Sequence, residues 1–297
     1  MHSGVREAYH AGSWYEDDPR LLSNELSSYL SKAQRLPTYN NLKSIIVPHA
    51  GYYYSAPTAA KAFININPKN YDRVVVLGPS HNEYFEGCGI TPFSKFDTPF
   101  GEINLDLKTI ETLSHDSNFI KLSQSTCLNE HSIEMELPFL KYIFQNKDFS
   151  LLPLMIGETT FQQNKKIGEL LYDLYKDDKT LFVISSDFCH WGLRFGYTYY
   201  DKSCGEIWES IEKLDQMALD IISQMNAEML DKYFEKTKNT ICGRNPITIV
   251  LSIIQNYQNE FNDKKLSFEC AGYSQSERVK NITGSSVSYA AGVNFIM

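Results

Sequence analysis

Two histidines of the sequence follow apolar runs that stop at a proline. His49 comes after Ile45-Ile46-Val47-Pro48, and His81 comes after residues 74–80. Apolar runs without polar alternation are typical of strands that are buried on both faces. In open α/β sheets ligands bind outside the carboxyl ends of such strands, so the two imidazoles are predicted to lie close together. Imidazole is the commonest metal ligand in proteins, and the alternative is that each histidine only caps its strand by hydrogen bonding.

A third apolar run, residues 181–186, ends at Asp187 and is followed by His190. A carboxylate at this position would orient one of the histidines or serve as a general base, which makes Asp187 a candidate catalytic residue. The alternative interpretation is that Asp187 caps the next helix.

Further polar residues, Glu130, His131 and Glu134, stand where the pattern predicts the start of a helix. Glu130 and His131 are interpreted either as facing the site or as exposed. For Glu134 the spacing favours exposure to solvent.

Cys242 is the cysteine most suited to chemistry. Arg244 lies two residues further on, and Pro246 predicts the start of a helix. A nearby guanidinium and a helix amino terminus would both lower the pKa of the thiol and favour the thiolate. The alternative is a structural cysteine, because spacing alone does not connect Cys242 with His49. The other cysteines are interpreted as small core residues.

The composition excludes several classes of protein. The 297 residues are 42% hydrophobic, and a formal charge of −8 argues against nucleic-acid binding, which needs concentrated lysine and arginine. No apolar run approaches the ~20 residues of a membrane-spanning helix, and the amino terminus does not have the pattern of a signal peptide. The six scattered cysteines form no C-x-x-C pair, which is typical of an intracellular protein with reduced thiols. We therefore expect a protein of the cytoplasm, or also of the nucleus.

The order of strand and helix patterns predicts one α/β domain over residues 1–297, with a mixed, mostly parallel sheet flanked by helices. An aromatic-rich arm at residues 1–15 is expected to dock on this domain, and residues 37–41 are expected to form a polar loop. Beyond the three strands above, the pattern predicts strands at 150–156, 266–273 and 286–295, the last two as antiparallel edges. It predicts helices near 21–30, 58–63, 104–115, 131–145, 161–176 and 247–257, and one or two helices over 203–236.

Seven motifs in this order resemble the Memo (mediator of cell motility) family in its eukaryotic form. They span residues 6 to 292, and the most distinctive are Pro48-His49-Ala50-Gly51-Tyr52, Gly78-Pro79-Ser80-His81, Ser186-Asp187-Phe188-Cys189-His190-Trp191 and Thr240-Ile241-Cys242-Gly243-Arg244. The resemblance implies the scaffold of class III extradiol dioxygenases. It also implies a centre of iron or copper held by His49, His81 and Cys242, with His131, Asp187 and His190 beside it.

The same resemblance implies a redox-active protein that is linked to oxidant production and to receptor-tyrosine-kinase signalling in cell motility. Extradiol dioxygenases hold iron with two histidines and a carboxylate. A cysteine in place of the carboxylate is softer and oxidisable, so a metal-dependent oxidoreductase is expected here rather than a ring-cleaving enzyme. Oxygen or a small molecule would then bind at the metal.

Two alternatives remain open. One is a signalling adaptor that binds phosphotyrosine peptides of receptor tyrosine kinases, with Trp14, Tyr52, Arg194 and Arg244 as ligand-binding residues, because arginine forks match phosphate oxygens. The other is a protein that sequesters copper or iron without turnover.

Overall fold

Four parallel strands form the centre of the protein. A computed structural model describes residues 2–37 and 41–297 of the chain. The central strands are filled with buried aliphatic and β-branched residues, because other elements cover both faces of the sheet. In chain order the strands are β1 (Val5–Arg6), β2 (Leu42–Val47), β3 (Arg73–Pro79), β4 (Cys88–Ile90), β5 (Lys95–Phe96), β6 (Ile103–Asn104), β7 (Phe119–Lys121), β8 (Ser150–Ile156), β9 (Thr180–Ser185), β10 (Asp187–Trp191), β11 (Leu266–Gln275) and β12 (Ser286–Ile296).

Within the described residues the large sheet has nine strands: eight lie in the order β10-β12-β2-β9-β3-β8-β4-β7, and the ninth, β11, pairs with β12. Strands β2, β9, β3 and β8 are parallel to one another. Strand β12 is antiparallel to β2, β10 and β11, and β4 is antiparallel to β8. A small second sheet has the order β1-β5-β6. The predicted class, α/β with a mixed sheet flanked by helices, is confirmed.

Helices cover the sheet and share one hydrophobic core with it. They are α1 (Pro19–Lys32), α2 (Tyr52–Phe63), α3 (Leu107–Leu113), α4 (Gln124–Asn129), α5 (Leu137–Ile143), α6 (Phe161–Lys176), α7 (Ile207–Ser223), α8 (Ala227–Thr237) and α9 (Arg244–Glu260). In the part of the chain that the structure describes, no helix is long and apolar enough to cross a membrane. The polar loop predicted at 37–41 lies mostly outside the described residues.

Several predicted boundaries differ from the structure. Helix α2 begins at Tyr52 rather than at residue 58, even though Pro57 lies inside it. Burial of Tyr52 against Tyr15 and Phe139 favours this earlier start. The helix predicted at 131–145 is instead a short 3-10 helix at Glu134–Glu136 followed by α5, with Pro138 in the first turn of α5, where a proline is tolerated.

The prediction that residues 286–295 form an edge strand is wrong. Strand β12 pairs with β11 and also with β2 and β10, so it lies inside the sheet. Its buried Ala290 and Ala291 are small, and such residues give no clear sign of an inner or an outer strand. The sequence pattern therefore identified the strand but not its position.

Candidate metal centre

His49, His81 and Cys242 meet at the carboxyl edge of the central strands. His49 follows β2, His81 follows β3, and Cys242 stands just before α9. One ligand atom from each of the three side chains lies within 4.8 Å of the other two. The sulfur of Cys242 is 3.2 Å from Nε2 of His49, and the two imidazole centroids are 5.1 Å apart. Strand β9 lies between β2 and β3, so the histidines flank its end.

Glu130 sets the orientation of His81. The Nδ1 atom of His81 lies 2.9 Å from Oε1 of Glu130, and the main-chain N–H of His81 donates to Oε2 at 2.5 Å. A buried carboxylate can only accept here, so Nδ1 carries the proton and Nε2 is left to bind a metal. Glu130 also accepts from the N–H of Ser132, at 2.9 Å. Of the two interpretations for Glu130, the structure shows the one that faces the site.

His131 offers a second group of possible ligands together with His81 and Glu130. Its Nδ1 atom is 3.3 Å from Oε1 of Glu130. The oxygens of Glu130 already accept from His81 and Ser132, so this group acts as support for the His49–His81–Cys242 centre. Burial, followed by the positive charge of His81, lowers the pKa of His131 to about 4, so the ring is neutral at pH 7.

The two histidines of the centre have pKa values that shift in opposite directions. Burial by itself would lower the pKa of His81, but hydrogen bonds to Cys242 and Glu130 raise it to about 10. Burial lowers the pKa of His49 well below its ordinary value, so that ring is neutral. In the absence of a metal, His81 therefore holds a second proton at neutral pH besides the one on Nδ1, and a metal would have to displace it from Nε2.

The prediction of a lowered pKa for Cys242 is wrong. Burial raises the pKa of this thiol, and the hydrogen bond to His81 offsets only part of the effect. Arg244 does not counteract the burial, because its guanidinium pairs with Glu158 at 3.2 Å. Arg244 is close to Cys242 along the chain, but Cys242 lies outside α9 and the side chain of Arg244, the first residue of α9, reaches Glu158 instead.

Asp187 supports the loop that carries His49. Its Oδ1 atom accepts from the N–H groups of His49, at 2.9 Å, and Ala50, at 3.3 Å. Burial raises the pKa of the Asp187 carboxyl to about 7, so near neutral pH this group can hold or release a proton. Nearby, His190 lies with Nδ1 3.1 Å from the carbonyl oxygen of Thr240, to which it donates.

An aromatic wall borders the centre on one side. The ring of His131 stacks on His81 at 4.5 Å between centroids, and the ring of Trp14 lies 4.4 Å from that of His131. Trp14 belongs to the amino-terminal arm and remains 37% exposed. The prediction that this arm docks on the domain is confirmed, and the arm supplies part of the site.

Glu134 is buried, with 1% of its surface exposed, so the prediction that it is exposed is wrong. One of its oxygens pairs with Arg6 at 2.7 Å and with Nδ1 of His10 at 2.8 Å. The other accepts from the N–H of His10 and from the hydroxyl of Tyr15, both at 2.8 Å. These contacts join elements more than 100 residues apart, which local spacing does not report.

A cavity of about 270 Å³ opens at the centre, with His81 and Cys242 in its wall. Arg244 lines it, together with the acidic Glu83 and Glu158. Of the other predicted ligand-binding residues, Trp14 belongs to the aromatic wall, and Tyr52 and Arg194 lie elsewhere. Tyr52 is in the core, where its hydroxyl donates to the carbonyl of Met135 at 2.7 Å. Arg194 is exposed outside this lining, over the ring of Phe195.

Three further residues support this region, although the sequence did not single them out as functional. They are Ser185, Glu136 and Gly243. The hydroxyl oxygen of Ser185, at the end of β9, lies 2.6 Å from Nδ1 of His49 and 2.9 Å from Oε1 of Glu136. Gly243 follows Cys242 and packs directly on Ser186. The pair of serines just before Asp187 was a usable signal, because polar residues at the end of a buried strand need partners. No local pattern marks Glu136.

We expect Gly243→Ala to destabilise the protein. An added Cβ atom would lie 2.3 Å from Cβ of Ser186 and 2.9 Å from the carbonyl oxygen of Ser185, and neither is the end of a flexible side chain. Such overpacking costs about 1–3 kcal/mol, measured as the free energy of unfolding in urea. Gly51→Ala is the matched control, since its Cβ would meet its nearest neighbour at 3.6 Å. Equal stabilities of the two variants would contradict the prediction.

Comparison with known proteins identifies the family. The sequence profile of the Memo-like protein family matches residues 6–293. The MEMO1 proteins of Danio rerio and Homo sapiens are each 40% identical to this chain over 289 residues. Each alignment covers 97% of this chain and 96% of the relative. The memo-1 homolog of Caenorhabditis elegans is 39% identical over 98% of this chain and 83% of its own.

The fold also has a solved counterpart. The crystal structure of the uncharacterized protein JW3007 from Escherichia coli K12 superposes with a TM-score of 0.50, covering 85% of this chain and 98% of that one. At 13% identity this likeness concerns the fold alone. The sequence matches, by contrast, extend over nearly the whole chain at high identity. The chain belongs to the Memo-like protein family.

Proposed function

We propose that this protein is a redox protein that binds iron or copper through His49, His81 and Cys242. The observation that carries the proposal is the meeting of three ligand atoms within 4.8 Å, on three segments distant in sequence. Two imidazoles and a thiolate form a donor set suited to transition metals, whereas calcium and magnesium prefer oxygen ligands. When bound, such a metal would supply one-electron chemistry. The link to oxidant production and cell motility is proposed on family membership alone.

The residues of the chain would prepare the site in three ways. Glu130 orients His81, and Asp187 holds the main chain of His49 and offers a carboxyl that exchanges a proton near pH 7. The aromatic wall of Trp14 and His131 shields one side. The cavity would give a small molecule or oxygen access to His81 and Cys242.

Metal content tests this proposal. Wild-type protein, loaded anaerobically with Fe²⁺ or Cu⁺ and desalted, is expected to retain about one ion per chain by mass spectrometry. The triple variant His49→Ala, His81→Ala, Cys242→Ala is expected to retain none. The matched control is His115→Ala with Cys270→Ala, because both residues are exposed and neither belongs to the site. Equal metal content in the triple variant and the wild type would contradict the proposal.

Sequestration without turnover uses the same ligands and differs in its consequence. Oxidation of a reporter dye by ascorbate and oxygen separates the two functions. A redox protein keeps the metal active, so the dye is oxidised at least as fast as with free metal. A sequestering protein suppresses the oxidation.

The adaptor function has weaker support from this cavity. Arg244, the arginine that lines the cavity, is already paired with Glu158, and Glu83 adds another negative charge to the lining. Two carboxylates beside a phosphate would oppose its binding. Calorimetric titration with a phosphotyrosine peptide and its unphosphorylated form tests this alternative.

A further inference from the structure

Ser185 lies between His49 and Glu136, and all three side chains are buried. Their exposed fractions are 0%, 1% and 1%, respectively. The hydroxyl oxygen of Ser185 is 2.6 Å from Nδ1 of His49, 2.9 Å from Oε1 of Glu136 and 2.6 Å from the carbonyl oxygen of Ser132. Three partners lie at hydrogen-bond distance from one hydroxyl group, so the donor and acceptor capacities of the four groups determine where the hydrogens lie.

The carbonyl oxygen of Ser132 can only accept a hydrogen bond. A serine hydroxyl has one hydrogen, and the contact to Ser132 uses it. The two lone pairs of Ser185 remain, so both other partners must be donors. His49 then donates from Nδ1–H, and Glu136 donates as a protonated carboxyl. This arrangement gives every one of these buried groups a partner.

The neutral form of Glu136 agrees with its surroundings. Burial raises the pKa of its carboxyl well above the usual range, the hydrogen bond with Ser185 offsets part of this increase, and the nearby Asp187 adds to it. A protonated carboxyl has an O–H to donate, whereas an ionised one would compete with His49 for the single hydrogen of Ser185.

We propose that Ser185 and Glu136 are positioning residues that hold His49 in the Nδ1–H tautomer and so direct its Nε2 atom to a metal. The inference deepens the proposed function and rests on it for the metal. Nε2 already points at the sulfur of Cys242, 3.2 Å away. The two histidine ligands are then unequal, because a carboxylate supports His81 and a neutral hydroxyl supports His49. An anionic partner makes the ring more basic, so His81 is the stronger donor of the two.

Nuclear magnetic resonance of the metal-free protein with ¹⁵N-labelled histidine tests the tautomer directly. The His49 signals are assigned by their loss in His49→Gln. We expect a protonated Nδ1 and an unprotonated Nε2 in the wild type. We expect a shift towards the Nε2–H form in Ser185→Ala, where Nδ1 loses its acceptor. An Nε2–H tautomer in the wild type would overturn the inference, and this result needs no metal to bind and only the His49→Gln variant for assignment.

Metal affinity supplies the second measurement. Removing an outer partner of a ligating histidine weakens metal binding about 10–100-fold, and we expect this loss for Co²⁺ in Ser185→Ala. The visible absorption of bound Co²⁺ should also change. Glu136→Gln should stay closer to the wild type, since an amide N–H₂ can donate as the acid does. Ser252→Ala, which removes another buried serine hydroxyl far along the chain, should leave the affinity unchanged.

These measurements distinguish a failure of the proposed metal-binding function from a failure of the positioning role. A wild type that binds no Co²⁺, Fe²⁺ or Cu⁺ would contradict the proposed function, while the tautomer measurement would still decide the hydrogen-bond arrangement. Ser185→Ala with wild-type affinity and an unchanged His49 tautomer would overturn the positioning role.

Discussion

Glu134→Ala is expected to destabilise the protein by about 3–5 kcal/mol, the usual cost of removing one partner from a buried ion pair. The variant would leave Arg6 buried without its carboxylate, since the ion pair at 2.7 Å is lost. His10 and Tyr15 would lose acceptors as well. The amino-terminal arm carries Trp14, so its release should also shift Trp fluorescence to longer wavelength. Urea unfolding measures the free-energy change.

Glu111→Ala is the matched control, because this glutamate is exposed on α3 and a surface change is worth about 0.5 kcal/mol or less. A loss below 1 kcal/mol in Glu134→Ala would contradict the prediction.

The contribution of Glu134 to stability also depends on pH. Burial would raise the pKa of this carboxyl, but the hydrogen bond to His10 and the charge of Arg6 lower it overall. A lowered folded-state pKa means that the stabilisation is present at neutral pH and is lost as the pH falls through that value.

Metal affinity is expected to rise by at least about tenfold per pH unit between pH 6 and pH 8, because a ligand must lose its proton before it binds. The relevant group is His81, whose pKa is raised to about 10, so it holds its proton throughout this interval when no metal is bound. The pKa of the Cys242 thiol is also raised, which can only make the dependence steeper. Competitive titration with Co²⁺ and a chelator of known pH dependence measures the slope.

Glu130→Gln should make this slope shallower. Its charge and its hydrogen bond help to hold the proton on His81, and an amide removes the charge while keeping the shape. His115→Ala serves as the control, since an exposed histidine outside the site should leave the slope as in the wild type. An affinity that is independent of pH from 6 to 8 would contradict both the site and its charge balance.

The sequence alone determined the strands and the histidines at their ends. Uninterrupted apolar runs before His49, His81 and Asp187 are a local signal, because a strand buried on both faces admits few polar residues. The parallel arrangement then followed from the helices between the strands. These features need only short stretches of chain, and the structure has the strands almost where the pattern placed them.

The tertiary structure decided which other residues join them. Cys242 lies 193 residues from His49, and no spacing rule connects positions that far apart. The same reason accounts for the errors at Glu134, which appeared exposed, and at Tyr52, which packs in the core. Burial also reversed the expected pKa of Cys242, because desolvation outweighed a nearby arginine that turned towards Glu158.

The hydrogen-bond partners of the histidines were the least accessible to sequence. Ser185 and Glu136 are ordinary residues until the fold brings them to His49 and excludes water from all three. Types of ligand can be read from a sequence because each residue carries its own chemistry. The orientation and protonation of each ligand, and the hydrogen bonds that hold it, depend on long-range packing and desolvation, which exist only in the folded chain.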